Sequence, residues 1–205
     1  MTNSLSNKTI FITGATGGIG EVLCNSFASA NARIILHCNS NREKAESIMS
    51  NLPKNNHMIV NGDLSEAENI ERIFNEIDSV DVVVNNAALI ERHEIESLSF
   101  ESWKKIWKRT LDINLLGPAH IIYFASQKMK NNNGGKIINI SSRGAFRGEP
   151  SAPAYGASKA GLNSLGQSMA KALAKDKIFV YTIAPGFVDT ERVKKLVTDE
   201  VKAQS

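Results

Sequence analysis

Short runs of β-branched and aromatic residues alternate along the chain with longer stretches whose apolar positions recur every three or four residues, which predicts alternating strands and helices. From Lys8 the chain reads KTIFIT, a strand, and breaks into GATGGIG before the helix-like EVLCNSFASA. ARIILH (32–37) is a second strand, NREKAESIMSNL a polar-faced helix, and HMIVNGD a third strand. LSEAENIERIFNEI follows as a helix, with Ser65 and Glu68 in a capping-box pattern. DVVVNNAA (81–88) is the fourth strand and its exit loop. ERHEIESLS then leads into a long helical region over about 100–130, where Pro118 should start a new turn or kink. GKIINIS is the fifth strand, PAYGASKAGLNSLGQSMAKALAK the next helix, and KIFVYTIAPG the sixth strand.

Strands and helices alternating at this length imply parallel βαβ units, and strands that are near-continuous apolar runs suit a sheet covered on both faces. The expected fold is α/β, a doubly wound parallel sheet of Rossmann-like type with six strands, in one domain spanning residues 1–205. No repeat or linker divides the chain. In the last stretch, 187–205, Val193, Leu196, Val197 and Val201 fall at helical spacing, and that helix could cover a pocket as a lid or dock on the sheet.

Composition narrows the function classes. The chain has 205 residues, 42% hydrophobic and 22% charged, ordinary for a folded domain. Its formal charge of +3 is spread without a Lys/Arg block, so nothing argues for a nucleic-acid or membrane partner, and small molecules are expected instead. Cys24 and Cys38 fit no disulfide framework and no metal-ligand spacing; they read as small apolar fillers in a reducing compartment. MTNSLSNK carries no apolar signal region, and no apolar run approaches about 18 residues, so the cytoplasm is the default location.

Two stretches carry chemistry. Gly14, Thr16, Gly17, Gly18, Ile19 and Gly20 lie between the first strand and first helix, where glycines let the backbone turn tightly and approach a pyrophosphate that the helix N-terminus then meets with its N–H groups. Downstream, Tyr155 and Lys159 are four residues apart and share a helix face, and Ser142 lies thirteen residues before the tyrosine. Alone, such a pair is more often an exposed helical couple. Reduction of a carbonyl by a nicotinamide hydride puts negative charge on the substrate oxygen, so a proton donor must stand there, and an ammonium beside a phenol favours the phenolate.

TGxxxGxG over Thr13–Gly20, NNAA after the fourth strand and YGASK at Tyr155–Lys159 together resemble the short-chain dehydrogenase/reductase family, from about Lys8 to Thr190, near its 3-oxoacyl-reductase-like members. The resemblance implies that Tyr155 is general acid or base, Lys159 tunes it and binds the nicotinamide ribose, Ser142 polarises the substrate oxygen, and Asn114 holds a water in the proton relay. It implies that Asp63 meets the adenine amino group with Leu64 beside it, that Asn86 and Ala87 contact the adenosine side, and that Pro185, Gly186, Val188 and Thr190 contact the nicotinamide amide. Asp63 could also be a helix-start carboxylate near Ser65.

Cofactor choice is set after the second strand, where an acidic side chain would bind the ribose hydroxyls and repel a 2′-phosphate. The chain reads Leu36, His37, Cys38, Asn39, Ser40, Asn41, Arg42, with no acid before Glu43, which favours NADP over NAD. Arg42, helped by Asn39 and Ser40, is the expected phosphate partner, or else a solvated helix-start residue. Gly17 occupies the loop position where NADP members often carry a base. Arg143, Phe146, Arg147, Glu149 and His93 could face the substrate, a ketone or alcohol.

The family pattern continues past the sixth strand to a last strand that this chain is expected to lack. A homodimer through the helices around 100–130 and 153–175 is expected. Two functions stand open: an NADP-dependent carbonyl reductase or alcohol dehydrogenase, and a non-catalytic NADP-binding or scaffold protein.

Overall fold

A computed structural model of the chain describes residues 5–188; Thr190 and all but the first two residues of the expected lid segment 187–205 lie outside the described residues. The elements are β1 (Thr9–Ile12), α1 (Gly18–Ser29), β2 (Arg33–Cys38), α2 (Arg42–Asn51), β3 (Met58–Asn61), α3 (Ala67–Glu76), β4 (Val82–Asn85), α4 (Phe100–Leu111), α5 (Gly117–Asn131), β5 (Gly135–Ile140), α6 (Gly144–Arg147), α7 (Pro153–Leu173) and β6 (Ile178–Ile183). The strands form one parallel sheet in the order β3-β2-β1-β4-β5-β6, the doubly wound arrangement.

Side chains on a strand alternate between faces, and the two cores follow that alternation. Phe11, Ile35 and Val83 point to a core with Ile70, Ile73 and Phe74 of α3, Ile121 and Ile122 of α5, and Leu173 of α7. Ile10, Ile12, Ile34 and Leu36 point the other way, onto Cys24 and Ala28 of α1 and Ile48 of α2. Phe11 meets the Phe74 ring edge-on at 5.5 Å; truncating a fully buried phenyl to Ala would cost about 3–5 kcal/mol.

One local reading is overturned, and the one at Pro118 takes a specific form. The capping box is not formed: α3 begins at Ala67 behind Glu66, and the Ser65 N–H and Oγ–H instead donate to Asp63 Oδ1 at 2.9 and 2.8 Å. The side chain of Asp63 thereby takes the turn that Ser65 was expected to make. The long helix changes its hydrogen-bonding pattern before Pro118, through a π turn at Asp112–Leu116 whose backbone stays helical, and Pro118 then sits in the first turn of α5.

Candidate active site

The strand order reverses between β1 and β4, so the segments leaving those strands diverge and open a cavity of about 690 Å3 at the carboxyl ends of the sheet. Thr13, just past β1, ties the two exits together. Its Oγ1 accepts the N–H groups of Asn86 and Ala87 at 2.9 and 3.0 Å and donates to the Val84 carbonyl at 3.3 Å. Asn86 completes the tie by donating Nδ2 to the carbonyls of Thr13 and Gly14 at 2.9 and 3.1 Å.

Gly14 turns at φ +63°, and a Cβ there would lie 2.9 Å from the Ala87 Cα. Only glycine fits that turn. Gly20 is buried behind the loop, where a Cβ would run into the Gly14 carbonyl and stand 2.8 Å from the Ala15 Cα. The loop therefore lies flat on α1, whose N-terminus has no side-chain cap because Gly17 precedes it. Gly18 and Ile19 line the cavity there. Uncapped N–H groups at the positive end of a helix, with no Cβ in the way, fit a pyrophosphate.

His37 holds the loop from beneath. Its Nδ1 accepts the Gly14 N–H at 3.2 Å, so Nε2 carries the proton and donates to the Gly62 carbonyl at 2.9 Å. Burial pulls this imidazole down to about 4, against the opposing pull of the Gly62 carbonyl and Asp63. The neutral ring therefore fastens the glycine loop to the exit of β3. Asp63 lines the cavity beside it. Burial alone would raise its pKa, but the Ser65 N–H and Oγ–H, with Arg109 at 3.5 Å, outweigh that and hold the carboxyl below its ordinary value.

Ser142, Tyr155 and Lys159 line the opposite end of the same cavity. Ser142 Oγ accepts the Gly144 N–H at 3.1 Å, which leaves its O–H as a donor. Tyr155 stands in the first turn of α7, and Lys159, 1% exposed, lies one turn on with Nζ 5.8 Å from the Tyr155 ring centre. Lys159 Nζ donates to the Ile140 carbonyl at 2.7 Å, and Ser141 Oγ donates to the Lys159 carbonyl at 3.3 Å. The end of β5 therefore fixes the lysine below the tyrosine.

Asn114 is fully buried in the π turn. Its Nδ2 donates to the Leu89 carbonyl at 2.8 Å and Ser158 Oγ at 3.0 Å, and its Oδ1 accepts the Leu89 N–H at 2.7 Å. It clamps the loop after β4 to α7 and does not line the cavity.

Of the residues singled out in the sequence, Gly14, Thr16, Gly18, Ile19, Asn39, Asp63, Leu64, Asn86, Ala87, Ser142, Tyr155, Lys159, Pro185, Gly186 and Val188 share the cavity wall. Gly20 packs behind it. Arg42 is not on the wall; it pairs with Glu46 at 2.9 Å, one turn along α2. Arg143, Arg147 and Glu149 reach the cavity, whereas Phe146 is 76% exposed and off it. His93 is also off it: the ring is buried, with Nδ1 donating to the Glu91 carbonyl at 2.7 Å and Nε2 accepting the Ala154 N–H at 3.1 Å. Thr13 entered the sequence reading only as the first residue of the glycine motif, without the role of tying the two strand exits, and His37 and Arg109 had no role in it. For His37 only a strand-end position could have pointed to it.

The family model for short chain dehydrogenase matches residues 8–201. The 3-oxoacyl-[acyl-carrier-protein] reductase of Aquifex aeolicus is 30% identical over 97% of this chain and 80% of its own length. Galactitol 2-dehydrogenase of Agrobacterium fabrum is 35% identical over 91% of this chain and 73% of its own. A crystal structure assigned as an NAD(P) dependent gluconate 5-dehydrogenase from Beutenbergia cavernae, with bound NADP at low occupancy, superposes with a TM-score of 0.83 at 28% identity, covering 99% of this chain and 81% of that one.

Proposed function

The chain belongs to the short chain dehydrogenase family, and on that premise we propose that it moves a hydride between NADP(H) and a carbonyl or secondary alcohol, with Tyr155 as general acid and base. The observation that carries this reading is the sharing of one cavity by an uncapped helix N-terminus behind a glycine turn and by Ser142, Tyr155 and Lys159. NADP(H), when bound, supplies or accepts the hydride. Gly14 to Gly20 would hold the pyrophosphate, Asp63 and Leu64 the adenine, and Pro185, Gly186 and Val188 the nicotinamide side.

In reduction, the Ser142 O–H donates to the substrate oxygen and polarises it, while the Tyr155 phenol gives that oxygen its proton as negative charge develops. Lys159, held below the tyrosine by the Ile140 carbonyl at 2.7 Å, would bind the nicotinamide ribose hydroxyls. Asn114 keeps α7 and the loop after β4 in register, and its remaining acceptors are where a relay water would hang.

Preference for NADP rests on the absence of an acid at the end of β2, where Asn39 lines the cavity. Arg42 would have to leave Glu46 to help. A homodimer through α4, α5 and α7 is supported by the exposed Phe100 on α4, Leu116 in the π turn and Tyr123 on α5. The names of the relatives cover an acyl thioester, a sugar alcohol and a sugar acid, so likeness alone does not fix the substrate.

Tyr155→Phe tests the mechanism: carbonyl reduction by the purified variant should fall by at least about 100-fold, the scale of a lost general acid. Undiminished turnover would sink it. Binding of NADPH without turnover across ketones and alcohols would point to the non-catalytic reading.

A further inference from the structure

We propose that the substrate carries a carboxylate beside its carbonyl, held by Arg143 and Arg147; this rests on the reading of the cavity as a carbonyl-reducing site. The charge on the cavity wall is uneven. On the β1–β3 side, Arg109 and Asp63 pair with each other. On the β4–β6 side, among the described residues, the wall carries Arg143 and Arg147 beside the carboxylate of Glu149. That carboxylate is turned onto Gly144 in its own loop, where a Cβ would lie 2.7 Å from Glu149 Cγ.

Arg143 immediately follows Ser142, the residue that would polarise the carbonyl. It is fixed at both ends: its N–H donates to the Pro185 carbonyl at 3.1 Å, and its guanidinium stacks on the Phe187 ring 3.8 Å from the centroid. Stacking orients a guanidinium without neutralising it and leaves its edge N–H groups to bind an anion. Among the described residues, no carboxylate lies within ion-pair distance of Arg143 or Arg147.

The cofactor phosphates do not account for these charges. A pyrophosphate at the N-terminus of α1 belongs to β1, and a 2′-phosphate to the end of β2. The 143–147 segment follows β5, two strands from β1 in the sheet. Two guanidiniums with no carboxylate in ion-pair reach among the described residues, a few positions from the polarising hydroxyl, match a small oxo acid or hydroxy acid, since the planar fork of arginine takes a carboxylate in two parallel hydrogen bonds.

The test is calorimetric titration of tartrate, and of its uncharged diamide, into the protein saturated with NADP+. Tartrate should bind about 10- to 100-fold more tightly than the diamide. In the Arg143→Gln, Arg147→Gln double variant the gap should close, and in the corresponding Lys double variant part of it should return; NADP+ titration of each variant verifies that it is folded. Equal affinities for the two probes, no binding of either, or a gap undiminished in the Gln double variant would overturn the proposal. Reduction of an uncharged ketone by the wild-type protein, lost in Tyr155→Phe, is read separately, so the anion site can fail while the oxidoreductase reading stands.

Discussion

His93 Nε2 accepts the Ala154 N–H at 3.1 Å, one residue before Tyr155, so a histidine from the loop after β4 caps the helix that carries the proposed proton donor. Nothing in that helix's own sequence does so: Ala152 at its N-cap has no side chain to offer. The histidine ring is packed edge-on against Trp103 and Trp107 at 5.3 and 6.4 Å. His93→Ala would leave a buried N–H unpaired and a cavity beneath two indoles, together about 3–5 kcal/mol. Thermal unfolding should show a midpoint about 10 °C lower. Turnover should fall with it, because the first turn of α7 loses its anchor. His93→Gln can offer Ala154 an acceptor and should recover part of both; an alanine variant with wild-type midpoint and turnover would remove the cap from the account.

His37 predicts acid sensitivity of the cofactor loop. Its folded pKa of about 4 lies below the ordinary value of 6.5, because burial disfavours the imidazolium. Between those values the unfolded chain takes up a proton that the folded chain refuses, so the contribution is complete above about pH 6.5 and is lost as pH falls toward 4. The loss is on the order of 3 kcal/mol. Urea midpoints measured from about pH 7 down to pH 4.5 should decline in the wild type and decline less in His37→Gln. Equal slopes would mean that other groups carry the acid response.

Thr13→Val is the sharpest probe of the tie between β1 and β4. The substitution keeps the shape and removes the oxygen that accepts the Asn86 and Ala87 N–H groups. Two partly buried donors left unpaired cost about 2–4 kcal/mol. KM for the cofactor should rise, since Ala87 is also the wall against which Gly14 turns. Thr13→Ser retains the oxygen and should behave nearly as wild type in chemical denaturation and cofactor titration.

These three residues show where the sequence is informative and where it stops. Strand and helix identities were legible because burial of a sheet on both faces imposes apolar runs, as in Phe11 and Ile35. Gly14 and Gly20 were legible because close approach admits no other residue. Tyr155 and Lys159 do share one helix and one cavity, as their spacing allowed, but the spacing alone did not separate a site from an exposed helical couple. His93 was not: its function comes from meeting Ala154, 61 positions away. Ser65 was misread for a related reason, since Asp63 competed for the same N–H and reached it first. Arg42 is a charge whose local partner, Glu46, is four residues on, and motif spacing gives no weight to such a pair.

A dimer through α4, α5 and α7 should be visible in light scattering at micromolar protein. Tyr123 and Leu116 are 59% and 46% exposed, large apolar side chains on one helical segment. Leu116→Asp together with Tyr123→Asp would place two charges in the interface and should shift the mass toward the monomer, because an unpaired charge in a buried interface is costly. A wild-type protein of monomer mass at the same concentration would count against the assembly.

Cofactor choice can be reversed at one position if the end of β2 sets it. Asn39 lines the cavity, and its carbonyl accepts a hydrogen bond from Asn61 Nδ2, which fixes the backbone from which its side chain projects. Wild-type protein should show a higher kcat/KM with NADPH than with NADH. In Asn39→Asp the carboxylate would accept from both ribose hydroxyls and repel a 2′-phosphate, moving the ratio toward NADH by about 10- to 100-fold, the equivalent of about 1.4–2.8 kcal/mol. Arg42→Ala separates the two accounts of that arginine. If it leaves Glu46 to bind the phosphate, KM for NADPH should rise while KM for NADH stays constant. If it remains in its ion pair, neither constant should move, and the loss should appear only as a few tenths of a kcal/mol in stability. A wild-type preference for NADH would show that lack of an acid at the end of β2 does not by itself select the phosphorylated cofactor.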